Sequence, residues 1–271
     1  MSSYVVTGAS RGIGWAFLDQ LSLDANNTVI AIVRNKPATE QNVLEKLPGR
    51  PNIHILEADI TNYDALQSAA ADTAKITGGS LDYLIANAGL ISHHDAFDPI
   101  GVLGQNPRAL EDNLLECFQV NVVGQIHLFN IFIPLILKGS AKKVIALSSG
   151  QADPKLVLDF NIDVAPSYSI SKAALNFAIT KFSAQYAKDG VLFMSISPGL
   201  VDTGHFNELS SAQSESIYKT MASFKTYAPD FKGPITPEES VKDMMKVIEG
   251  ASLENGDGGA FVSHKGNQQW L

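Results

Sequence analysis

Seven short apolar runs, at 4–7, 28–34, 52–58, 81–86, 142–148, 191–197 and 260–263, alternate with stretches of helical period at roughly 14–23, 63–76, 108–137, 167–188 and 237–249. Near-continuous apolar runs suit strands buried on both faces, and strand–helix alternation returns each strand parallel to its neighbours with a helix packed across the sheet. The pattern predicts an α/β protein: a doubly wound parallel sheet of about seven strands with helices on both faces. A turn-rich stretch at about 35–48 should hold one further helix. At 271 residues the chain is large for one domain, yet α/β folds of this size often close around one core, so a single domain over 1–271 is expected.

The first apolar run, Tyr4-Val5-Val6, passes directly into Thr7-Gly8-Ala9-Ser10-Arg11-Gly12-Ile13-Gly14 and then a helix-patterned stretch from Trp15. Glycine lacks a Cβ, so the turn accepts positive φ and close approach by a ligand, while the helix amino end directs N–H groups and partial positive charge at it. A pyrophosphate fits there, as in a dinucleotide-binding Rossmann fold. The spacing is Gly-x-x-x-Gly-x-Gly rather than Gly-x-Gly-x-x-Gly, so the match is to mechanism and not to letter. The next run ends in Arg34, about twenty residues on, where NAD-binding proteins usually carry an acidic residue for the ribose 2′-hydroxyl. A guanidinium suits a 2′-phosphate, with Arg11 as a second contact, so NADPH/NADP+ is expected over NADH. The alternative is that Arg34 merely caps an exposed strand end.

Tyr168-Ser169-Ile170-Ser171-Lys172 sets a phenol and an ammonium one helical turn apart on one face. Lowering a tyrosine pKa of ~10 by ~2 requires ~2.7 kcal/mol of extra stabilisation for the phenolate. A cation about 5 Å away at an effective dielectric of ~20 offers roughly 3 kcal/mol. The pair is therefore expected to make a proton donor, although any amphipathic helix produces the spacing by chance. Context favours chemistry, because ligands of doubly wound sheets sit beyond the carboxyl ends of the strands, where Gly8, Arg34, Asp59, Asn87, Ser149 and Pro198-Gly199 fall.

Composition removes other classes. A net charge of −8 without a basic stripe argues against a nucleic-acid partner. The single cysteine, Cys117, excludes an intrachain disulfide, and no zinc-type Cys/His spacing occurs; the adjacent His93 and His94 read as a solvated loop, so no metal is expected. Residues 117–137 lack Asp, Glu, Lys and Arg and are long enough to span a bilayer, but Gln119, Asn121, Gln125, His127, Asn130 and Pro134 suit a helix buried against a sheet better, so no membrane is expected. A strand starting by residue 4 leaves no room for a signal peptide, and a cytoplasmic location is expected.

Seven motifs occur in order: Thr7-Gly8-x-x-x-Gly12-x-Gly14, Asp59-x-Thr61, Asn87-Ala88-Gly89, Asn121-Val122-x-Gly124, Ser148-Ser149, Tyr168-x-x-x-Lys172 and Pro198-Gly199-x-Val201-x-Thr203. With them the chain resembles the short-chain dehydrogenase/reductase family over essentially its full length. The resemblance implies that the turn residues Gly8, Ser10, Arg11, Gly12, Ile13 and Gly14 hold the cofactor phosphates and that Asp59 and the Ile60 backbone hold the adenine. Asn87, Ala88 and Gly89 would line its ribose side, Lys172 would hold the nicotinamide ribose, and Val201 and Thr203, after Pro198 and Gly199, would meet the carboxamide. Asn121 would distort its helix to keep a proton-relaying water, Ser149 would hydrogen-bond the substrate carbonyl, and Tyr168 would deliver the proton. Each residue has a structural alternative: Asp59 as a cap for Thr61 onward, Asn121 as a buried polar group satisfied by backbone, the serines as strand-end hydroxyls.

Two departures stand out. Residue 86 is alanine where the family commonly has Asn-Asn-Ala-Gly, and the Ser149–Tyr168 interval is long, so Gln151 to Val164 should form an extra loop over the site. That loop leaves Ser148 or Ser149 as the orienting serine, with Ser149 favoured. Val33-Arg34-Asn35, Ala165-Pro166-Ser167-Tyr168 and the tail from Phe261 to Trp270 resemble more loosely the fungal reductases of the norsolorinic acid ketoreductase type, which act on polyketides. Phe206, Tyr218, Met221, Phe224, Tyr227 and Phe231 would wall an apolar pocket with a lid at about 200–236, or pack as an ordinary helix. The expected activity is reversible reduction of a ketone, a small-molecule carbonyl substrate, by a homodimer or homotetramer. A dehydratase or epimerase on the same fold and a non-catalytic cofactor-binding protein remain as rivals.

Overall fold

The computed structural model describes residues 1–204 and 211–271. β1 (Ser3–Thr7) leads through the glycine turn into α1 (Gly12–Ser22), followed by β2 (Thr28–Val33), α2 (Lys36–Lys46), β3 (Ile53–Glu57), α3 (Tyr63–Thr77) and β4 (Tyr83–Ala86). The second half runs α4 (Ile100–Leu103), α5 (Pro107–Phe118), α6 (Gly124–Ile136), β5 (Lys143–Leu147), α7 (Pro154–Phe160), α8 (Pro166–Tyr186), β6 (Leu192–Ser197), α9 (Ser211–Tyr227), α10 (Pro237–Gly250) and β7 (Phe261–Ser263). The strands form one parallel sheet in the order β3-β2-β1-β4-β5-β6-β7, the doubly wound arrangement expected. Chain direction across the sheet reverses between β1 and β4, which opens a crevice at their carboxyl ends.

Alternate residues of each strand feed opposite faces. Val5, Ile30 and Ile32 pack with Leu128, Phe129 and Phe132 of α6, while Val6, Val29 and Ala31 pack with Phe17 of α1 and Met244 of α10. Both faces are apolar because both are covered, which is why the strands read as unbroken apolar runs. Asparagine caps at Asn35, Asn62 and Asn106 each accept from the third amide of α2, α3 and α5, and Thr236 with Glu239 forms a capping box on α10.

Three stretches differ from expectation. The 108–137 helix is continuous in space but changes pitch: a π turn, Gln119–Val123, separates α5 from α6 and contains Asn121. Its apolar composition is accounted for by the sheet, since Leu128, Phe129, Phe132 and Ile136 are fully buried in the core. The 151–164 insert is not simply a loop. It holds α7, which Pro154 starts at its first position and Asp153 caps by accepting from Lys155 N. The lid region contains a 17-residue helix, α9. A satellite apolar cluster of Leu156, Ile162, Phe224 and Trp270 ties α7, α9 and the carboxyl tail together.

Candidate active site

The glycine turn closes β1 onto α1 with Gly8 at φ 68° and Gly12 at φ 56°, values that favour glycine. At Gly14 the constraint is space: a Cβ would sit 2.3 Å from the Gly8 carbonyl oxygen. Arg11 occupies the cap position of α1 without a side-chain bond to the helix, leaving its first-turn amides directed at the crevice. Thr203 lies over the turn, its Cγ2 being 3.3 Å from where a Gly12 Cβ would stand, and Val201 is anchored by a bridge to Ile235. Ser10, Arg11 and Arg34 are exposed at the rim. These features fit a dinucleotide: a cradle of free amides at a helix amino end, with guanidinium groups available beside it.

Two residues assigned to the cofactor also hold the protein's own backbone. The Asn87 amide Nδ2 donates to the carbonyls of Thr7 at 2.8 Å and Gly8 at 3.3 Å, while Ala88 N donates to Thr7 Oγ1 at 3.0 Å. The side chain holds the turn because those two carbonyls lose ladder partners where β1 ends. Asp59 receives Thr61 N at 2.8 Å and Thr61 Oγ1 at 2.7 Å through Oδ1, but the cap of α3 is Asn62. Burial on its own would raise the Asp59 carboxyl; the Thr61 bonds and the charge of Arg34 hold it below the usual range. Ile60 is buried, and Gly124 lets α6 approach it, since a Cβ there would lie 2.7 Å from the Ile60 carbonyl oxygen.

Beyond β5 and β6 lies a cleft of about 950 Å³ of empty space, counting its open mouth. Tyr168 and Ser149 line it together, facing Ile13 of the glycine turn and the Pro198–Val201 segment, while Ser148 is buried and does not reach it. The Ser149 hydroxyl bonds the Tyr168 hydroxyl and also accepts from Gln151 N at 3.2 Å. Behind Tyr168, Lys172 Nζ donates to the Leu147 carbonyl at 2.7 Å and stands 5.7 Å from the phenol ring centre. Asn121 Oδ1 accepts from Leu90 N at 2.8 Å, and Nδ2 donates to Leu90 O at 2.8 Å and Ser171 Oγ at 2.9 Å, so its side chain is fully engaged. Gly89 leaves room for this group: a Cβ would come 3.2 Å from Lys172 Nζ and 3.3 Å from Asn121 Oδ1.

The lowering of the phenol pKa expected from spacing is opposed by burial. Burial pushes Tyr168 up to about 12, against the lowering bond from Ser149 and helped by the neighbouring Cys117 thiol, and burial pulls Lys172 down to about 8. Attraction between phenolate and ammonium lowers the phenol pKa, but removal of both groups from water works against it and is the larger effect here. Cys117, packed against the same groups, is itself raised to about 11 by burial and by Asp95 and Glu116, so it is an inert thiol.

Several residues that sequence reasoning missed shape the site. Ile91, Ala96 and Phe97 form a wall after β4, and Gln151 reaches the cleft with its Oε1 held by Ser169 Oγ at 3.2 Å. His264 backs the Pro198-Gly199 turn so tightly that a Cβ on Gly199, whose φ is 83°, would be 2.8 Å from its Cε1; burial lowers its imidazole pKa, with Lys265 adding to the effect. Of the apolar lid residues, Met221 and Phe224 line the cleft, Tyr227 and Phe231 pack in the satellite cluster, and Tyr218 faces solvent. His205 and Phe206 lie outside the described residues.

A parallel sheet with a phosphate-cradling turn at its switch point and a phenol–hydroxyl pair in the adjoining cleft defines an oxidoreductase scaffold for a nicotinamide cofactor. The chain belongs to the short-chain dehydrogenase/reductase family: residues 3–214 match the short chain dehydrogenase family. It is 59% identical over 271 residues to the short chain dehydrogenase virK of Hypocrea virens and 49% identical over 272 residues to the short-chain dehydrogenase/reductase iacC of Pestalotiopsis fici, with 100% of each chain covered in both cases. The crystal structure of NADPH-bound carbonyl reductase from chicken fatty liver is similar, with a TM-score of 0.77, 26% identity and 98% of each chain covered.

Proposed function

We propose that this protein is an NADPH-dependent ketone reductase acting on a bulky, uncharged, aromatic or polyketide-like substrate. The observation that carries the reading is the meeting of the Ser149 and Tyr168 hydroxyls in a cleft whose described walls bear no charged side chain, next to the glycine turn. When bound, the nicotinamide supplies hydride to the carbonyl carbon. Ser149 donates to the carbonyl oxygen and orients it, and Tyr168 passes its proton to that oxygen as negative charge develops. Lys172, protonated below about 8, stabilises the phenolate that remains. Asn121, locked to Leu90 and Ser171, fixes the π turn beside Lys172. The apolar walls at Ile91, Phe97, Met221 and Phe224 exclude water and favour ring systems over acyl chains bearing phosphate.

NADPH preference rests on Arg34 and Arg11, the cations beside the adenosine end of the turn. The NADPH-bound carbonyl reductase neighbour supports the same cofactor. The exposed Leu115 and Phe118 of α5 and Ile170 and Phe177 of α8 support a subunit contact through these helices in a homodimer or homotetramer. The test is loss of nicotinamide absorbance with a panel of aromatic and bicyclic ketones. Turnover that disappears in Tyr168→Phe supports the reductase; product without net NADPH consumption would make it a dehydratase or epimerase, and cofactor binding with no turnover would make it a binding protein. Arg34→Ala should lower kcat/KM with NADPH about tenfold or more relative to NADH, the loss of a charge-assisted contact; an unchanged ratio removes the cofactor claim.

A further inference from the structure

The helix carrying Tyr168 and Lys172 begins where its own sequence offers no cap. The cap position is Ala165, held at φ 53°, and Pro166 follows without an N–H. The amides at the second and third helical positions, Ser167 and Tyr168, therefore need an acceptor from elsewhere. Asp95 supplies it: Oδ1 accepts from Ser167 N at 2.9 Å, Oδ2 accepts from Tyr168 N at 2.8 Å, and the Asp95 backbone carbonyl accepts from Ala165 N at 3.1 Å. The residue is fully buried at the positive end of a 21-residue helix, where these bonds and the helix dipole compensate a carboxylate. One of the two amides it holds is that of Tyr168 itself, so the backbone from which the phenol projects is fixed by Asp95. The adjoining Ala96 and Phe97 line the cleft, and the Phe97 carbonyl accepts from Ser216 Oγ of α9 at 2.5 Å.

We propose that Asp95 is a positioning residue for Tyr168: its carboxylate pins the first turn of α8 to the cleft wall, so that the phenol hydroxyl is held at Ser149. The role in turnover rests on Tyr168 being the proton donor. Asp95→Ala removes both acceptors; Asp95→Asn keeps one carbonyl oxygen and nearly the same shape, so it serves even where the alanine variant folds poorly. Active sites are counted by titration with NADPH, which removes unfolded protein from the comparison, and kcat per titrated site is measured with a ketone that the wild type reduces. Asp95→Ala is expected to lose about 10²-fold in kcat, the scale of a misplacement of about 1 Å, with the NADPH Kd unchanged. Asp95→Asn should fall between it and the wild type. Hydrogen exchange at the Ser167 and Tyr168 amides should accelerate in both variants. Wild-type kcat per site in Asp95→Ala, or unchanged exchange at those amides, overturns the proposal. Full turnover by Tyr168→Phe, measured alongside, overturns the donor reading and with it the positioning role, and this outcome is separable because exchange at the two amides would still respond to Asp95.

Discussion

Replacing Lys172 by methionine should make the protein more stable at neutral pH while abolishing turnover. The cation is 3% exposed, and burial lowers its pKa from 10.5 to about 8. At ~1.4 kcal/mol per pH unit, that difference puts the cost of keeping it charged in the folded state at about 3 kcal/mol at pH 7. Methionine removes this cost and retains most of the volume, but leaves the Leu147 carbonyl without its 2.7 Å donor, which costs about 1–2 kcal/mol. The variant should therefore gain roughly 1–2 kcal/mol at pH 7. The sign reverses with pH. Between about 8 and 10.5 the unfolded lysine holds a proton that the folded one has released, so wild-type stability from this group rises with pH and is complete above 10.5. By pH 10.5 the variant should be the less stable protein by about the lost hydrogen bond. Urea unfolding of both proteins at pH 7, 9 and 10.5 measures the difference directly, and the tyrosines, which titrate in both, cancel. A stability difference that is the same at all three pH values would show that Lys172 is not buried as a cation and would refute the argument.

Gly14→Ala should abolish NADPH binding measured by fluorescence titration, because its Cβ would stand 2.3 Å from the Gly8 carbonyl oxygen and only a backbone shift relieves that contact. The kcat/KM profile for ketone reduction should fall above about pH 8, as Lys172 loses its proton and the phenol its partner, while alcohol oxidation should not fall there. Trp270→Ala should cost about 3–5 kcal/mol in thermal or urea unfolding, and should raise KM for bulky ketones more than for small ones. The ring is buried, stacks on Phe261 at 4.3 Å and donates to Asp153 at 2.8 Å, so its loss loosens α7 and α9 together.

The sheet was legible in the sequence because its central strands are covered on both faces and carry near-continuous apolar runs, a signal that does not depend on distant partners. The glycine turn and Tyr168–Lys172 were legible because their chemistry is local. What escaped is held by contacts remote in sequence. Helix α7 is only seven residues long, too short to show a helical period, and its place is set by Trp270, more than a hundred residues away, whose indole bonds its cap, Asp153. Asp95 sits 72 residues before the amide it caps, in a segment with no motif. A negative signal was present nonetheless: Ala165 followed by Pro166 at the start of a long helix leaves two amides that nothing nearby can satisfy. The direction of the Tyr168 shift escaped for another reason, since residue spacing gives a distance but not the loss of solvent at both groups.

Three irregular pieces of backbone make the candidate site, and the segment after β4 holds each of them. Asn87 ties the carbonyls of the glycine turn, the Leu90 peptide pairs with both ends of the Asn121 amide in the π turn, and Asp95 caps α8. Each irregularity leaves backbone groups without their regular partners, and a short stretch with side chains or peptides at 87, 90 and 95 satisfies all three, which couples cofactor cradle and proton donor through one strand end. Asn87→Ala tests the first of these ties without touching the others. It leaves the Thr7 and Gly8 carbonyls short of a donor and opens a void beside Gly14, for a cost of about 1–3 kcal/mol. That cost should appear in urea unfolding and as a weaker NADPH Kd, with kcat at saturating cofactor retained to within a few-fold. A variant whose Kd and stability both match the wild type would mean that the turn keeps its shape unaided.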